Sequence, residues 1–184
     1  MRRLALIPLL VIVFACNDST LLQPEDEADL QIVAKRSTPK MIPLKGEGTW
    51  EWDGSPLVAP SPDCVTAGGT AEGHFTAVLN LTHLGRTSSL IVQCFNFAVS
   101  PQFIFTTETF TAANGDQLIL YEPGTPLDPM PAGFDWGYPF EVVGGTGRFD
   151  GATGEGTAFG TLELTATGAR GKVIVEGIIS SVGS

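Results

Sequence analysis

The stretch Glu141–Gly160, EVVGGTGRFDGATGEGTAFG, decides how the chain is interpreted, because it holds seven glycines in twenty residues. A dinucleotide-binding loop requires Gly-x-Gly-x-x-Gly between a strand and a helix, so that a phosphate lies at the helix N-terminus. The GTG at residues 145–147 is followed by RFD, so the third glycine is missing, and the glycines beyond it disfavour a helix. We therefore interpret the stretch as a turn and strand of an all-β protein, in which glycines permit tight turns and bulges.

The segment Gly144–Gly154, GGTGRFDGATG, resembles the GGTGxFxxAxG stretch of dirigent proteins and related allene oxide cyclase-like barrels. The close resemblance extends over about Phe134 to Gly160. It implies an eight-stranded antiparallel barrel with an apolar lumen, often trimeric. The family's catalytic side chains do not map onto this sequence residue by residue, so the resemblance transfers no activity.

Beyond Leu44, apolar residues alternate with a period of two, which predicts strands rather than helices. Eight strands are the number at which a closed barrel is just filled by side chains or holds one small ligand. We predict such an antiparallel barrel, of the allene oxide cyclase, dirigent or lipocalin kind, with a β-sandwich of the same strands as the alternative. The predicted strands are Glu47–Trp52, Phe75–Thr82, Thr87–Phe97, Gln102–Thr111, Gln117–Glu122, Phe134–Val142, Gly154–Thr167 and Gly171–Ser180.

The N-terminus has the pattern of an export signal: Arg2 and Arg3 precede an apolar run that ends at Phe14. That run is shorter than the ~20 residues that cross a membrane. The sequence VFAC at residues 13–16 resembles a bacterial lipobox, in which the cysteine becomes the lipid-modified first residue. We predict a signal peptide over residues 1–15, lipidation of Cys16, a flexible lipid-anchored tether over residues 16–44, and a barrel domain over residues 45–184. An ordinary export signal with an incidental cysteine is the alternative.

The predicted location follows from this N-terminus. We expect an exported protein at the bacterial outer membrane or cell surface, with the lipid bilayer as its partner through the acyl anchor. A soluble periplasmic or secreted protein is the alternative. In an oxidising compartment disulfides persist, so we predict a Cys64–Cys94 bond. Closing a loop of that size stabilises the fold by about 3 kcal/mol in the chain-entropy model.

Charge argues against a nucleic-acid partner. The chain has 10 basic and 20 acidic residues and a net charge of −10, and removal of Arg2 and Arg3 brings the mature charge to about −12. A nucleic-acid surface needs clustered Lys and Arg, and no basic stripe is visible. No CxxC spacing and no zinc-type histidine pair occurs, so we predict neither a metal nor a cofactor.

Candidate site residues are few. Trp50, Trp52, Trp136 and Tyr138 are candidates for a ligand pocket, with ordinary core packing as the alternative. His83 lies in phase with the apolar residues of its predicted strand, which makes it a candidate base at the rim of the lumen, with a structural or partly exposed histidine as the alternative. Glu108 is the second catalytic candidate, either a lumenal carboxyl with a raised pKa or a solvated side chain.

The sequence leaves three functions open. The first is an exported barrel that binds a small apolar molecule or an envelope partner. The second is a cyclase-like or stereo-directing enzyme acting in the lumen, and the third is a structural envelope protein with a packed lumen. No catalytic motif is complete, so we favour binding over catalysis. A lumen volume above about 300 Å³, the usual lower bound for ligand pockets, would separate the first two from the third.

Overall fold

The structure, a computed structural model, describes residues 39–99 and 103–180 of the 184-residue chain. The predicted signal peptide, the lipidation site Cys16 and the tether up to Thr38 lie outside the described residues. Those predictions stay predictions.

The described residues form a closed antiparallel barrel of eight strands with one further short strand. Each strand from β1 to β6 pairs with the next along the chain, β7 pairs with β9, and β9 pairs with β1 to close the barrel. The predicted barrel is thus confirmed over the sandwich. The strands are β1 Met41–Trp52, β2 Ala71–Leu81, β3 Gly85–Phe95, β4 Phe103–Ala112, β5 Gln117–Pro123, β6 Trp136–Gly145, β7 Gly154–Gly160, β8 Glu163–Leu164 and β9 Ala169–Ser180.

Two boundaries differ from the sequence prediction. The barrel begins at Met41, so residues 41–44, assigned to the tether, belong to β1; Leu44 pairs with Gly177 and is fully buried. The predicted strand Gly154–Thr167 is divided into β7 and β8. The ladder to β9 is interrupted because Thr161 departs from it: its side-chain Oγ1, rather than a backbone carbonyl, accepts the hydrogen bond from the Lys172 N–H.

Side chains alternate between the lumen and the outer surface along each strand, as the pleat requires. One half of the lumen is filled with fully buried apolar side chains, which form the core. Its largest members are Phe110, Phe140, Leu44, Leu79, Leu118, Leu120 and Ile179.

The glycine-rich stretch is a turn between two strands, as the sequence predicted. It contains the end of β6, a 3-10 turn at Gly147–Phe149, and β7. Gly147 has a φ of 60°, a left-handed conformation that favours glycine, and a Cβ at this position would overlap the Asp116 carboxyl. The turn therefore requires glycine at this position for both backbone and packing reasons.

The Cys64–Cys94 disulfide is present, which confirms the predicted pairing. Cys64 lies in the only α-helix among residues 39–99 and 103–180, α1 Pro62–Thr66, and Cys94 lies near the end of β3. The Cα atoms are 5.6 Å apart and both side chains are fully buried. The bond attaches the loop between β1 and β2 to the barrel wall.

Candidate functional site

The other half of the lumen is a cavity of about 430 Å³. It lies toward the end of the barrel where β1 ends and β2 begins, since Trp52 and Phe75 line it while the fully buried Leu44 and Leu79 lie deeper along the same strands. Seven aromatic side chains line it, namely Trp50, Trp52, Phe75, Phe95, Phe97, Trp136 and Tyr138. The volume exceeds the ~300 Å³ at which ligand pockets begin, so the lumen is not packed shut.

Two indole rings are fixed in the wall by one backbone carbonyl. The Nε1 atoms of Trp50 and Trp136 donate to the Thr161 carbonyl oxygen at 3.0 and 3.3 Å. Gly171 and Gly160 face the lumen next to these rings and leave room for them. A Cβ at residue 171 would lie 2.7 Å from Trp50 Nε1, and a Cβ at residue 160 would lie 2.4 Å from the Trp136 ring. The indoles thus satisfy their polar atoms while exposing ring surface to the cavity.

The aromatic rings form a continuous arc. Successive ring centroids lie 6.2 Å apart for Trp52 and Phe75, 6.3 Å for Phe75 and Trp50, 6.4 Å for Trp50 and Trp136, and 6.5 Å for Trp136 and Tyr138. These spacings fall in the range of favourable aromatic pairs. Mutual packing of this kind holds the wall in one arrangement before any ligand arrives.

A pair of buried carboxyl groups lies against this apolar wall. Glu108 on β4 is opposite Leu120 on β5, and Glu122 is opposite Thr106, so the two glutamates are diagonal neighbours on one face of adjacent strands. Glu108 is 3% exposed and Glu122 is 6% exposed, and both line the cavity. Two acidic side chains therefore face the same enclosed space.

Burial determines the electrostatics of the pair. Desolvation raises the pKa of Glu108 from 4.5 to about 7, although the Ser89 hydroxyl, which donates to its Oε1 at 2.5 Å, opposes the rise. Desolvation, and then the charge on Glu108, raise the pKa of Glu122 well above its ordinary value. Burial and Glu122 also raise the pKa of the Tyr138 phenol. The pair therefore retains protons at a higher pH than exposed carboxyl groups do.

The pair is incompletely hydrogen-bonded. No N–H or hydroxyl donor from residues 39–99 or 103–180 reaches the Glu122 carboxyl, and the Thr106 hydroxyl beside it is buried without a hydrogen-bond partner in those ranges. Buried polar groups without partners are costly unless a ligand or water satisfies them. This part of the cavity therefore offers hydrogen-bonding capacity to an occupant.

Five of the six candidate site residues are brought together in the cavity. Trp50, Trp52, Trp136 and Tyr138 line it, and Glu108 takes the lumenal of its two predicted positions. His83 takes the exposed one of its two predicted positions and not the lumen rim: β2 ends at Leu81, and His83 lies in the following turn with a φ of 66°. That turn is at the packed end of the barrel, opposite the cavity.

Sequence reasoning missed Glu122 and Ser89. Glu122 is in phase with Leu118 and Leu120, which face inward, but Ile119 and Tyr121 on the other face are apolar as well. The alternation along β5 therefore does not identify the inner face by itself. Ser89 is a small polar residue whose role depends on its hydrogen bond to another strand.

The cavity opens between exposed apolar side chains. Leu57, Phe97, Leu162 and Leu164 line it and are 39%, 52%, 49% and 77% exposed. Leu164 lies on β8, whose neighbouring Glu163 receives two hydrogen bonds from Arg170 on β9. The entrance is therefore bordered by apolar side chains, which continue the apolar lining toward the outer surface.

The described residues contain neither a metal-binding cluster nor a membrane-spanning helix. No group of three or more His, Cys, Asp or Glu side chains in residues 39–99 and 103–180 is placed to hold a metal ion. No helix in the same ranges has the length and apolar character needed to span a bilayer.

Comparison with known proteins gives a structural similarity but no match to the sequence. No protein-family model and no curated protein matches the sequence. Among solved structures, the pterocarpan synthase dirigent protein GePTS1 matches with a TM-score of 0.47 and 12% identity, over 80% of this chain and 90% of that chain. Similarity at this level adds nothing about activity. The strand pairing establishes a closed antiparallel barrel of eight strands, the architecture that the Gly144–Gly154 resemblance implied.

Proposed function

We propose that this protein binds a small, largely apolar molecule in its lumen. The observation that carries the proposal is the cavity of about 430 Å³ whose wall is an ordered arc of aromatic rings. Ligand pockets are typically concave, mostly apolar and equipped with a few polar groups that orient the ligand. The buried carboxyl pair supplies those polar groups.

The proposal includes the export and membrane anchoring predicted from the N-terminus. A basic start, an apolar run and the VFAC sequence at residues 13–16 support it. The Cys64–Cys94 disulfide is consistent with an oxidising compartment. The protein then acts as a tethered binder at the outer membrane or cell surface, as a monomer or as the trimer suggested by the dirigent resemblance.

Native mass spectrometry of the full chain, produced and processed in its own host, tests the proposal. We expect a reproducible additional mass for each barrel, and the same spectrum reports the oligomeric state. Ala169→Phe places a ring in the cavity and should remove the additional mass, since Ala169 lines it and is 6% exposed. Val143→Phe, at a position 58% exposed on β6, is the matched control and should retain it. A bare wild-type barrel, or equal retention by both variants, would refute lumenal binding.

A second candidate function is proton transfer to or from the bound molecule. It is favoured by one observation, the Glu108 carboxyl in the cavity with a pKa of about 7, a value suited to a general acid or base near neutral pH. Ionisation of Glu108 would in turn favour the protonated form of Glu122, because the charge on Glu108 raises the pKa of Glu122. Catalysis of this kind resembles the enzymatic alternative drawn from the sequence.

One experiment on the molecule identified by mass spectrometry distinguishes binding alone from proton-transfer catalysis. If the lumen is catalytic, Glu108→Gln retains the molecule but stops its conversion. If the lumen only binds, wild type and Glu108→Gln both return the molecule unchanged. Equal conversion by wild type and variant would remove Glu108 from the mechanism. His83→Ala should behave as wild type in each case, because His83 is exposed in a turn far from the cavity.

A further inference from the structure

Among the described residues, the charged side chains that line the cavity are all acidic. It contains two carboxyl groups, Glu108 and Glu122, and within residues 39–99 and 103–180 no Lys, Arg or His lines it. Arg170, next to the entrance, is exposed and engaged with Glu163. A ligand carboxylate or phosphate would therefore enter a low-dielectric space without a positive partner, which is costly. The lining selects against anionic ligands.

The carboxyl pair has unused acceptor capacity. Ser89 satisfies one oxygen of Glu108, while no N–H or hydroxyl donor in the described ranges reaches Glu122. Carboxylates accept hydrogen bonds most strongly from charged donors. The complementary occupant is thus a donor that also carries positive charge.

The aromatic arc favours the same charge. The faces of Trp, Tyr and Phe rings carry negative potential and attract cations lying within about 6 Å of the ring centre. Trp50, Trp136 and Tyr138 are arranged in the arc, and Tyr138 interacts electrostatically with Glu122. The cationic group and the apolar body of one ligand would both find suitable surfaces in this space.

We propose that the lumen selects an apolar molecule bearing one protonated amine, which the Glu108–Glu122 carboxyl pair receives while the aromatic arc packs against its body. This inference rests on the proposed function, since it names the chemical class of the lumenal ligand. The amine donates to the carboxyl pair, and its charge favours loss of the proton that the pair retains in the empty cavity. Binding of the amine is therefore accompanied by proton release.

The side chains that face the carboxyl pair indicate which groups can release the proton. From β3 they are Ser89, Ile91 and Gln93, which do not titrate, and from β5 the neighbour is Leu120. From β6 the titratable group is Tyr138, whose raised pKa keeps it protonated near neutral pH. The released proton thus comes from the two glutamates.

The test uses three probes that share one ring system and differ in charge: 1-naphthylmethylamine, 1-naphthalenemethanol and 1-naphthoate. Isothermal titration of the full-chain protein at about pH 6, below the pKa of about 7 of Glu108, gives each affinity. We expect the amine to bind at least about tenfold more tightly than the alcohol, as one charged hydrogen bond provides, and the naphthoate more weakly than both. Repeating the titration in buffers of different ionisation enthalpy should show proton release for the amine and none for the alcohol.

Variants assign the preference to the pair. Glu108→Gln and Glu122→Gln together should lower the affinity for the amine at least about tenfold and leave the affinity for the alcohol nearly unchanged. Glu141→Gln, which removes an exposed carboxylate from the outer face of β6, is the matched control and should leave the whole series unchanged. Circular dichroism establishes that each variant is folded.

The outcomes distinguish this inference from the proposed function. If the three probes bind wild type equally, or the alcohol or naphthoate binds best, the amine inference is wrong while lumenal binding stands. If the amine is preferred without proton release, the pair is not its receptor. If no probe binds and the native protein also lacks an additional mass, both the proposed function and the inference fail.

Discussion

Replacing Glu108 with glutamine should make the protein more stable at neutral and alkaline pH. The native environment raises the pKa of this carboxyl from 4.5 to about 7, because burial disfavours the charged form. Between those two pH values the native state holds a proton that the unfolded state has released. The free energy of unfolding of wild type therefore falls as pH rises through this window.

The size of the effect follows from the two pKa values. One pKa unit corresponds to about 1.4 kcal/mol, so ionising Glu108 in the folded protein costs about 3 kcal/mol relative to the unfolded chain. The cost is absent below about pH 4.5 and complete above about pH 7. Glutamine has nearly the same shape, keeps an oxygen that can accept from Ser89 and does not ionise. Glu108→Gln should thus be about 3 kcal/mol more stable than wild type at about pH 8 and differ little at about pH 4.

Urea unfolding at both pH values measures the difference, read as a change in midpoint at constant m-value. Some pH dependence should remain in Glu108→Gln, because Glu122 is buried beside it and also has a raised pKa. The double variant with Glu122→Gln should remove most of that remainder. Glu141→Gln, on the exposed outer face, controls for the loss of one negative charge. If Glu108→Gln were no more stable than wild type at about pH 8, Glu108 would not be the desolvated acid described above.

Three further predictions concern other parts of the chain. Replacing both Cys64 and Cys94 with serine should lower the free energy of unfolding by about 3 kcal/mol, as measured in urea, and a reductant should destabilise wild type but leave this variant unchanged. Gly160→Ala should destabilise the barrel by about 1–3 kcal/mol in the same assay, because its Cβ would lie 2.2 Å from the Lys172 carbonyl oxygen and 2.4 Å from the Trp136 ring. Thr157→Ala on the outer face of β7 should cost less, and equal losses would contradict the packing argument. Cys16→Ser should move the protein from the membrane fraction to the soluble fraction in its own host, and persistence in the membrane fraction would refute lipid anchoring at Cys16.

The barrel could be predicted from the sequence because its strands alternate cleanly where one face is solvated. Phe75, Ala77, Leu79 and Leu81 define the inner face of β2, and the Asn114-Gly115 turn joins β4 to β5. The break between β7 and β8 could not be predicted, because it depends on Thr161, whose side-chain oxygen replaces a ladder partner for the Lys172 N–H.

The carboxyl pair could not be predicted from the sequence alone. Glu108 was a candidate with two possible positions, and its neighbour Glu122 stands on a strand that is apolar on both faces. Only the register between β4 and β5 makes the two glutamates diagonal neighbours. The phase of His83 suggested the lumen rim because it continues that of β2, although the chain has already turned away at Leu81 and leaves His83 exposed.

The barrel is closed by β9, the last strand that the structure describes, so the barrel can close only after this strand has been synthesised. β9 pairs with β1 along its whole length, from Met41 opposite Ser180 to Trp52 opposite Ala169, so the barrel closes through contacts between distant parts of the sequence. Non-local contacts of this kind make folding slow, and they form only after the intervening chain has been made. Until then β1 and β7 are unpaired edges that invite aggregation. Ala169 and Val173 of β9 also form part of the cavity wall. A nascent chain therefore has no complete cavity until this strand emerges from the ribosome.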